Sequence, residues 1–142
     1  MARNHATVKI SKDDRDNGKV FYLTEMPAMQ IEQWATKVLL GAIKGGAVIP
    51  EGIENQGLAG LVYVGLNAVA KLDYDMAAPL LREMLECAEI VPDPVARPDY
   101  RRSDIASDIE EVSTIITLRE AIFELHTGFS LAAAFSKSKA TA

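Results

Sequence analysis

Very little in this 142-residue chain can act through a soft ligand or an aromatic face: it has one cysteine, two histidines, one tryptophan and an aromatic share of 6%. A single cysteine closes no disulfide within the chain, so a reducing compartment is expected. Cys87 lies in LLREMLECAEI, where helical spacing makes it a small buried hydrophobe. His5 and His126 are too few to build a zinc site, even with Cys87. Few rings also means no stacking platform for bases or sugars. Basic charge is in deficit: fifteen Lys and Arg stand against twenty Asp and Glu, a net charge of -5 that repels phosphate backbones. No nucleic-acid partner is expected. Long apolar runs are missing too. LAGLVYVGLNAVAKL, residues 58–72, is interrupted by Asn67 and Lys71 and falls short of the roughly 20 residues that cross a bilayer. MARNHATVKISK has no apolar stretch of signal-peptide length. A cytosolic protein with no membrane partner is expected.

What the chain does have is packing material. Hydrophobic residues make up 49% and charged ones 25%, and the length suits one domain over 1–142. ATVKISK and KVFYLTE are β-favouring runs around DDRDNG, whose Asn17-Gly18 pair takes positive φ readily, so a β-hairpin is expected at 6–24. A helical body should follow over 25–132. Pro27 presets the first turn of its first helix, and Ile31, Trp34, Ala35, Val38, Leu39 and Ala42 repeat along one face before Gly45-Gly46 stops it. AVIPEGIENQG reads as a loop, and Leu58 to Leu72 as a second helix, apolar nearly all round, with Gly60 and Gly65 allowing close approach. A third helix is expected from Asp73 or Asp75 to about Ile90, with Pro79 tolerable only in its first turn. VPDPVARPDYRR must be extended. From Ser103 a fourth helix is expected, its acids Asp104, Asp108, Glu110 and Glu111 favoured by the N-terminal dipole. Ile115, Leu118, Ile122, Leu125 and Phe129 then form a packing seam. SKSKATA belongs to a polar, frayed tail at 133–142. The expected fold is mainly α: an N-terminal β-hairpin and about four helices packed in one small domain.

Chemistry is harder to find. Asp104, Asp108 and Glu111 share a helical face that could hold Mg²⁺ or an acid/base pair, but a helix N-terminus explains them more simply, and Ser107 with Glu110 matches a capping box. His126 in FELHTGF suits the last carbonyls of a helix. Cys87 has no base placed beside it. GLAGLVYVG matches neither a dinucleotide fingerprint nor a Walker A loop. Arg101-Arg102, flanked by Asp99 and Asp104, is a solvated linker before it is an anion site. No catalytic residue, metal ligand or cofactor is expected. The apolar stripe of the first helix remains, and with Met26 and Met29 it offers flexible and bulky side chains of the kind that anchor interfaces.

FYLTEMPAMQIEQWATKVLLGAI, APLLREMLECAEIVPDP and DIEEVSTIITLREAIFELHTGFSL, in this order and spacing, resemble a family of small tail assembly chaperones of siphovirus-type tailed phages, encoded near the tape measure protein. The matching positions are Glu25, Met26, Pro27, Ala28, Glu32, Trp34 and Ala35; then Pro79, Leu80, Leu81, Met84 and Pro92; then Asp108 to Glu111, Leu118, Leu125, His126 and Phe129. They are packing residues and turns, spread over most of residues 20–132. The resemblance implies a non-catalytic protein that binds and solubilises the tape measure protein in the cytoplasm of the infected bacterial host and assists tail tube assembly. It would be absent from the mature virion. In such families a frameshift-extended form recruits the tail tube protein, and a chain ending in SKSKATA would be the short form. The other reading is a structural head-tail connector or minor tail protein of the virion. A homo-oligomer is expected, with Met26, Met29, Ile31, Trp34, Val38 and Leu39 as the partner-binding residues.

Overall fold

The computed structural model describes the backbone of residues 3–46 and 66–141, and side chains over 3–46 and 68–127. Along the chain run β1 (His5–Lys9), β2 (Val20–Thr24), α1 (Ala28–Lys44), a 3-10 helix (Leu66–Lys71), α2 (Tyr74–Leu85), β3 (Ala88–Val91), a short 3-10 turn (Ala106–Asp108) and α3 (Val112–Thr141). The chain divides into two compact units, Met1–Glu25 with Glu83–Leu125 and Met26–Arg82 with His126–Ala142. We call them the sheet unit and the helix unit.

In the sheet unit the expected hairpin is present. Period-two alternation drives it: Phe21 and Leu23 of β2 are fully buried while their neighbours are half-exposed. β1 pairs antiparallel with β2, Val8 opposite Phe21 and Ala6 opposite Leu23. The connection is longer than the two-residue return that Asn17-Gly18 predicts. Only Gly18 has positive φ, at 86°, and its N–H donates to the Ile10 carbonyl while Ile10 N–H donates to Lys19.

The expected four-helix body requires correction. Among the described residues there are three α-helices, and a third strand that was not anticipated completes an antiparallel sheet of order β1-β2-β3. The predicted third helix does not reach Ile90. It closes at Leu85, where Glu86 and Cys87 donate to the carbonyls three residues back, and Ala88–Val91 then pairs with β2, Ile90 opposite Phe21. Central position in the sheet lets β2 bury both large side chains against neighbours on either side, an advantage that helical propensity in AEIV cannot match. Arg102 bridges Ile90 on the other edge of β3. Of the apolar run 58–72, residues 58–65 lie outside the described residues, and 66–71 form a 3-10 helix. Pro79 also departs from expectation, standing in the second turn of α2. The helix expected from Ser103 begins only at Val112 and continues through the expected tail to Thr141. Leu118 and Ile122 of the predicted seam are fully buried, and Ile115 and Leu125 half-buried.

The helix unit is built on α1. Pro27, at φ -55°, is its N-cap, and the predicted face is its inner face: Trp34, Ala35, Val38, Leu39 and Ala42 are all buried. The indole N–H of Trp34 donates to the Leu80 carbonyl at 2.9 Å, so the one polar atom of that large side chain is satisfied inside. Gly45 ends the helix, and Gly46 turns the chain at φ 101°. A Cβ at Gly45 would overlap the carbonyl oxygen of Lys71, so glycine is required there by close backbone approach.

Candidate functional site

Of the six residues that the sequence marks for partner binding, five lie on α1 and Met26 just precedes its N-cap, and the structure separates them. Met26, Trp34, Val38 and Leu39 are interior residues of the monomer, Ile31 is half-buried, and Met29 alone is exposed, at 77%. Periodicity picks out the apolar face of a helix but does not say whether the face meets the same chain or another. Here it meets the same chain.

The helix unit leaves further large apolar side chains exposed that the pattern missed. Leu40 and Ile43 of α1 are exposed at 52% and 37%, and Tyr74 and Met76 at the start of α2 at 82% and 38%. Local rules fix their positions. Asp73 caps α2, its carboxylate accepting from Met76 N–H at 2.9 Å and its carbonyl from Ala77 N–H, which presents Tyr74 on the first turn. Gly41 lets α1 come close to Leu72 and Met76, since a Cβ there would clash with both side chains. The entry to α1 is tied from a distance of one hundred residues: Met26 N–H donates to Nε2 of His126 at 2.7 Å. In that bond Nε2 is the acceptor. His126 was expected near the end of its helix, bonding the last carbonyls; it lies mid-helix in α3 and accepts from another segment instead.

The acidic cluster belongs to the sheet unit and is engaged there. Asp108 accepts from Arg102 at 2.9 Å, and Glu111 from Arg15 Nε at 2.7 Å, while Arg15 also donates to the Glu110 carbonyl. Arg101 lies 4.1 Å over the Tyr22 ring and 3.4 Å from Glu89, so both members of the arginine doublet have partners within the unit. Among the described residues no group of three or more His, Cys, Asp or Glu side chains is placed to hold a metal ion. The expected capping box of Ser107 and Glu110 is replaced by a cap from elsewhere. Asp16, fully buried, accepts from Glu110 N–H, Glu111 N–H, the Thr114 hydroxyl at 2.6 Å and Lys19 Nζ at 2.8 Å. Burial alone would raise the Asp16 pKa. The Lys19 and Thr114 bonds and the two backbone amides outweigh it and hold the carboxyl well below the usual range. This is a buried cap for the start of α3, with both carboxylate oxygens accepting hydrogen bonds.

Cys87 is a buried thiol pushed up to about 11, first by burial and then by Glu83 and Glu86, so at neutral pH it stays protonated and is a poor nucleophile. No helix among the described residues is long and apolar enough to cross a membrane. No protein-family model, curated protein or solved structure matches the chain.

Proposed function

We propose that the chain is a non-catalytic tail assembly chaperone that binds and solubilises a tape measure protein in the cytoplasm of the infected bacterial host and assists tail tube assembly. The observation that carries this reading is the set of large apolar side chains that the helix unit leaves exposed, Met29, Leu40, Ile43, Tyr74 and Met76. Two of the five are methionines, flexible and polarizable side chains that adapt to varied apolar partners. A long helical client that must wait for its tube would leave apolar stripes open to water. Covering each Leu-sized side chain is worth about 1.5–3 kcal/mol before ordering costs, so several copies of a small, weakly binding protein can keep such a client in solution without catalysis. The reading rests on this surface and on the family resemblance of the three sequence blocks. The tail tube protein enters as a second partner, through a frameshift-extended form.

Co-expression with a tape measure segment tests the reading. The chain should carry the segment into the soluble fraction, and Tyr74→Ser with Met76→Ser should reduce that recovery severalfold while leaving the helical circular dichroism unchanged. Trp34→Phe, an interior change, should leave recovery intact. Unchanged recovery in the double variant, or the chain's presence in stoichiometric amount in purified particles by mass spectrometry, would overturn it; the latter would favour a connector or minor tail protein.

A further inference from the structure

The two outer strands of the sheet differ at their open edges. On β3, Ile90 exchanges both main-chain hydrogen bonds with Arg102, at 2.9 and 3.0 Å, so that edge is occupied. On β1 the phase of the ladder follows from its ends: Ile10 N–H donates to the Lys19 carbonyl, and Glu25 N–H to the Asn4 carbonyl. Bonded and non-bonded pairs alternate along an antiparallel ladder, so Ala6 and Val8 turn their N–H and C=O groups to Leu23 and Phe21 of β2. His5, Thr7 and Lys9 turn theirs the other way, to an edge on which no strand lies among the described residues. The apolar layer is unfinished at the same edge. Cross-strand partners share a face, and Phe21 and Leu23 are fully buried while Val8 and Ala6, opposite them, are only half-buried. Charge there has one sign. Residues 1–12 hold Arg3, Lys9 and Lys12 and no acid, in a chain of net charge -5. Arg3 and Lys9 are exposed, Lys12 donates to the Thr117 hydroxyl, and Glu25 at the far end of the hairpin is engaged by Asn4.

We propose that the open edge of β1 takes up an extended segment of a partner protein as an added antiparallel strand, and that this segment alternates aliphatic with acidic residues. Main-chain groups of His5, Thr7 and Lys9 supply the hydrogen bonds, which select an extended conformation whatever its sequence. Side chains select the sequence, because those of an added strand fall alternately on the two faces of the sheet. On the face of Ala6 and Val8 they complete the apolar layer, which calls for aliphatic residues. On the other face they stand beside Thr7 and Lys9, which calls for carboxylates. A second copy fits worse. Its own β1, paired antiparallel about Thr7, would set each Lys9 opposite the other copy's His5, with no acid on either strand. A lysine on an exposed edge guards against such self-pairing, and here it also selects the partner. β1 belongs to the sheet unit, and its edge uses none of the side chains assigned to the tape measure client.

The probe is a capped synthetic peptide alternating valine with glutamate, labelled for fluorescence anisotropy with the full chain. It should bind, and the same peptide with lysine in place of glutamate should not. Thr7→Pro removes the central outward N–H while leaving the ladder to β2, a change that edge strands tolerate, and should weaken binding at least about tenfold. N-methylation of the peptide amides that face β1 should abolish binding with the protein unaltered. Lys9→Glu should weaken binding about threefold at low salt and not at all in 1 M NaCl. Amide exchange reads the edge residue by residue: His5, Thr7 and Lys9 should exchange fast in the free chain and slowly with peptide, whereas Ala6 and Val8 should be slow in both. Failure of the glutamate peptide to bind at millimolar concentration, equal binding of the lysine or N-methylated peptide, or binding that leaves exchange at His5, Thr7 and Lys9 unchanged would overturn the proposal. So would a free chain in which those amides slow as its own concentration rises, since a second copy would then hold the edge. Peptide binding without solubilisation of a tape measure segment would bring down the chaperone reading alone, and solubilisation without peptide binding would bring down only the added strand.

Discussion

The sheet unit orders the start of its long helix with a buried charge, whereas the helix unit orders α1 with apolar bulk. Asp16 takes four hydrogen bonds in the first, and Trp34, with one hydrogen bond to Leu80, fills the second. A polar cap is demanding: each donor must have its acceptor, and the arrangement fails as a whole when the carboxylate is removed. An apolar core degrades by volume. A surface that must meet another protein is easier to place over the second kind of interior, since the outer face of α1 can vary while its inner face keeps the fold.

The largest expected effects set these two devices side by side. Asp16→Ala strands Lys19, the Thr114 hydroxyl and two backbone N–H groups without their acceptor, and should cost roughly 3–5 kcal/mol in urea unfolding. Trp34→Ala should cost a similar ~3–5 kcal/mol by leaving a cavity. The second change is graded and the first is not. Trp34→Phe should recover most of its loss, limited by the unpaired Leu80 carbonyl, whereas Asp16→Leu, which more than fills the space of Asp with an apolar side chain, should recover none. If Asp16→Leu proves nearly as stable as the parent, the polar device is dispensable and the contrast fails.

Acid separates the two units next. The folded Asp16 carboxyl lies well below its ordinary value of about 3.9, to which it returns on unfolding. The folded state therefore binds this proton less readily than the unfolded one. Its stabilisation is complete above the unfolded value and is lost as pH falls through it toward the folded value. Glu111, lowered by its hydrogen bond to Arg15, acts in the same direction. Unfolding midpoints should be flat from pH 7 to about 5 and fall below about 4, and Asp16→Asn should flatten that fall. Trp34 is the only tryptophan, so its fluorescence follows the helix unit while hydrogen exchange at Phe21 and Leu23 follows the sheet unit.

That contrast also marks what the sequence made legible. The hairpin and α1 could be read because alternation and helical periodicity are local, and the Gly45-Gly46 stop is chemistry of the residues themselves. β3 could not be read: Ala88–Val91 is four residues continuing an apolar helical pattern, and its strand state depends on β2, more than sixty residues earlier. The signal that was present, two β-branched residues directly before Pro92, was too short to outweigh the helical spacing. The Asp16 cap was invisible for the same reason, since all its donors but Lys19 lie 94 to 98 residues away. Of the candidate binding residues, Met29 was legible as exposed only in hindsight, because a stripe that mixes Met29, Leu40 and Ile43 with Gln33 and Thr36 has weaker contrast than the inner face.

Backbone approach gives a smaller effect, confined to the helix unit. Gly45→Ala sets a methyl group against the Lys71 carbonyl, which as backbone cannot swing aside, and should cost about 1–3 kcal/mol. At Gly46, open around its Cα but held at φ 101°, alanine meets only conformational strain and should cost less, about 1 kcal/mol. Equal losses at the two positions would mean that α1 ends by dihedral preference alone.

The smallest effect isolates charge at the surface from charge in the interior. Arg15 approaches Glu111 at 2.7 Å but its side chain is two-thirds exposed, so water competes for both partners and salt screens them. Arg15→Gln should lower the urea midpoint slightly at low ionic strength and not at all in 1 M NaCl, where the screening length is about 3 Å. Asp16→Ala should show its full loss at both salt concentrations, because its partners reach it where no ion follows. If the Asp16 loss shrinks with salt as the Arg15 loss does, the carboxylate is held by ordinary surface pairing, and the distinction between a buried polar lock and an apolar core no longer separates the two units.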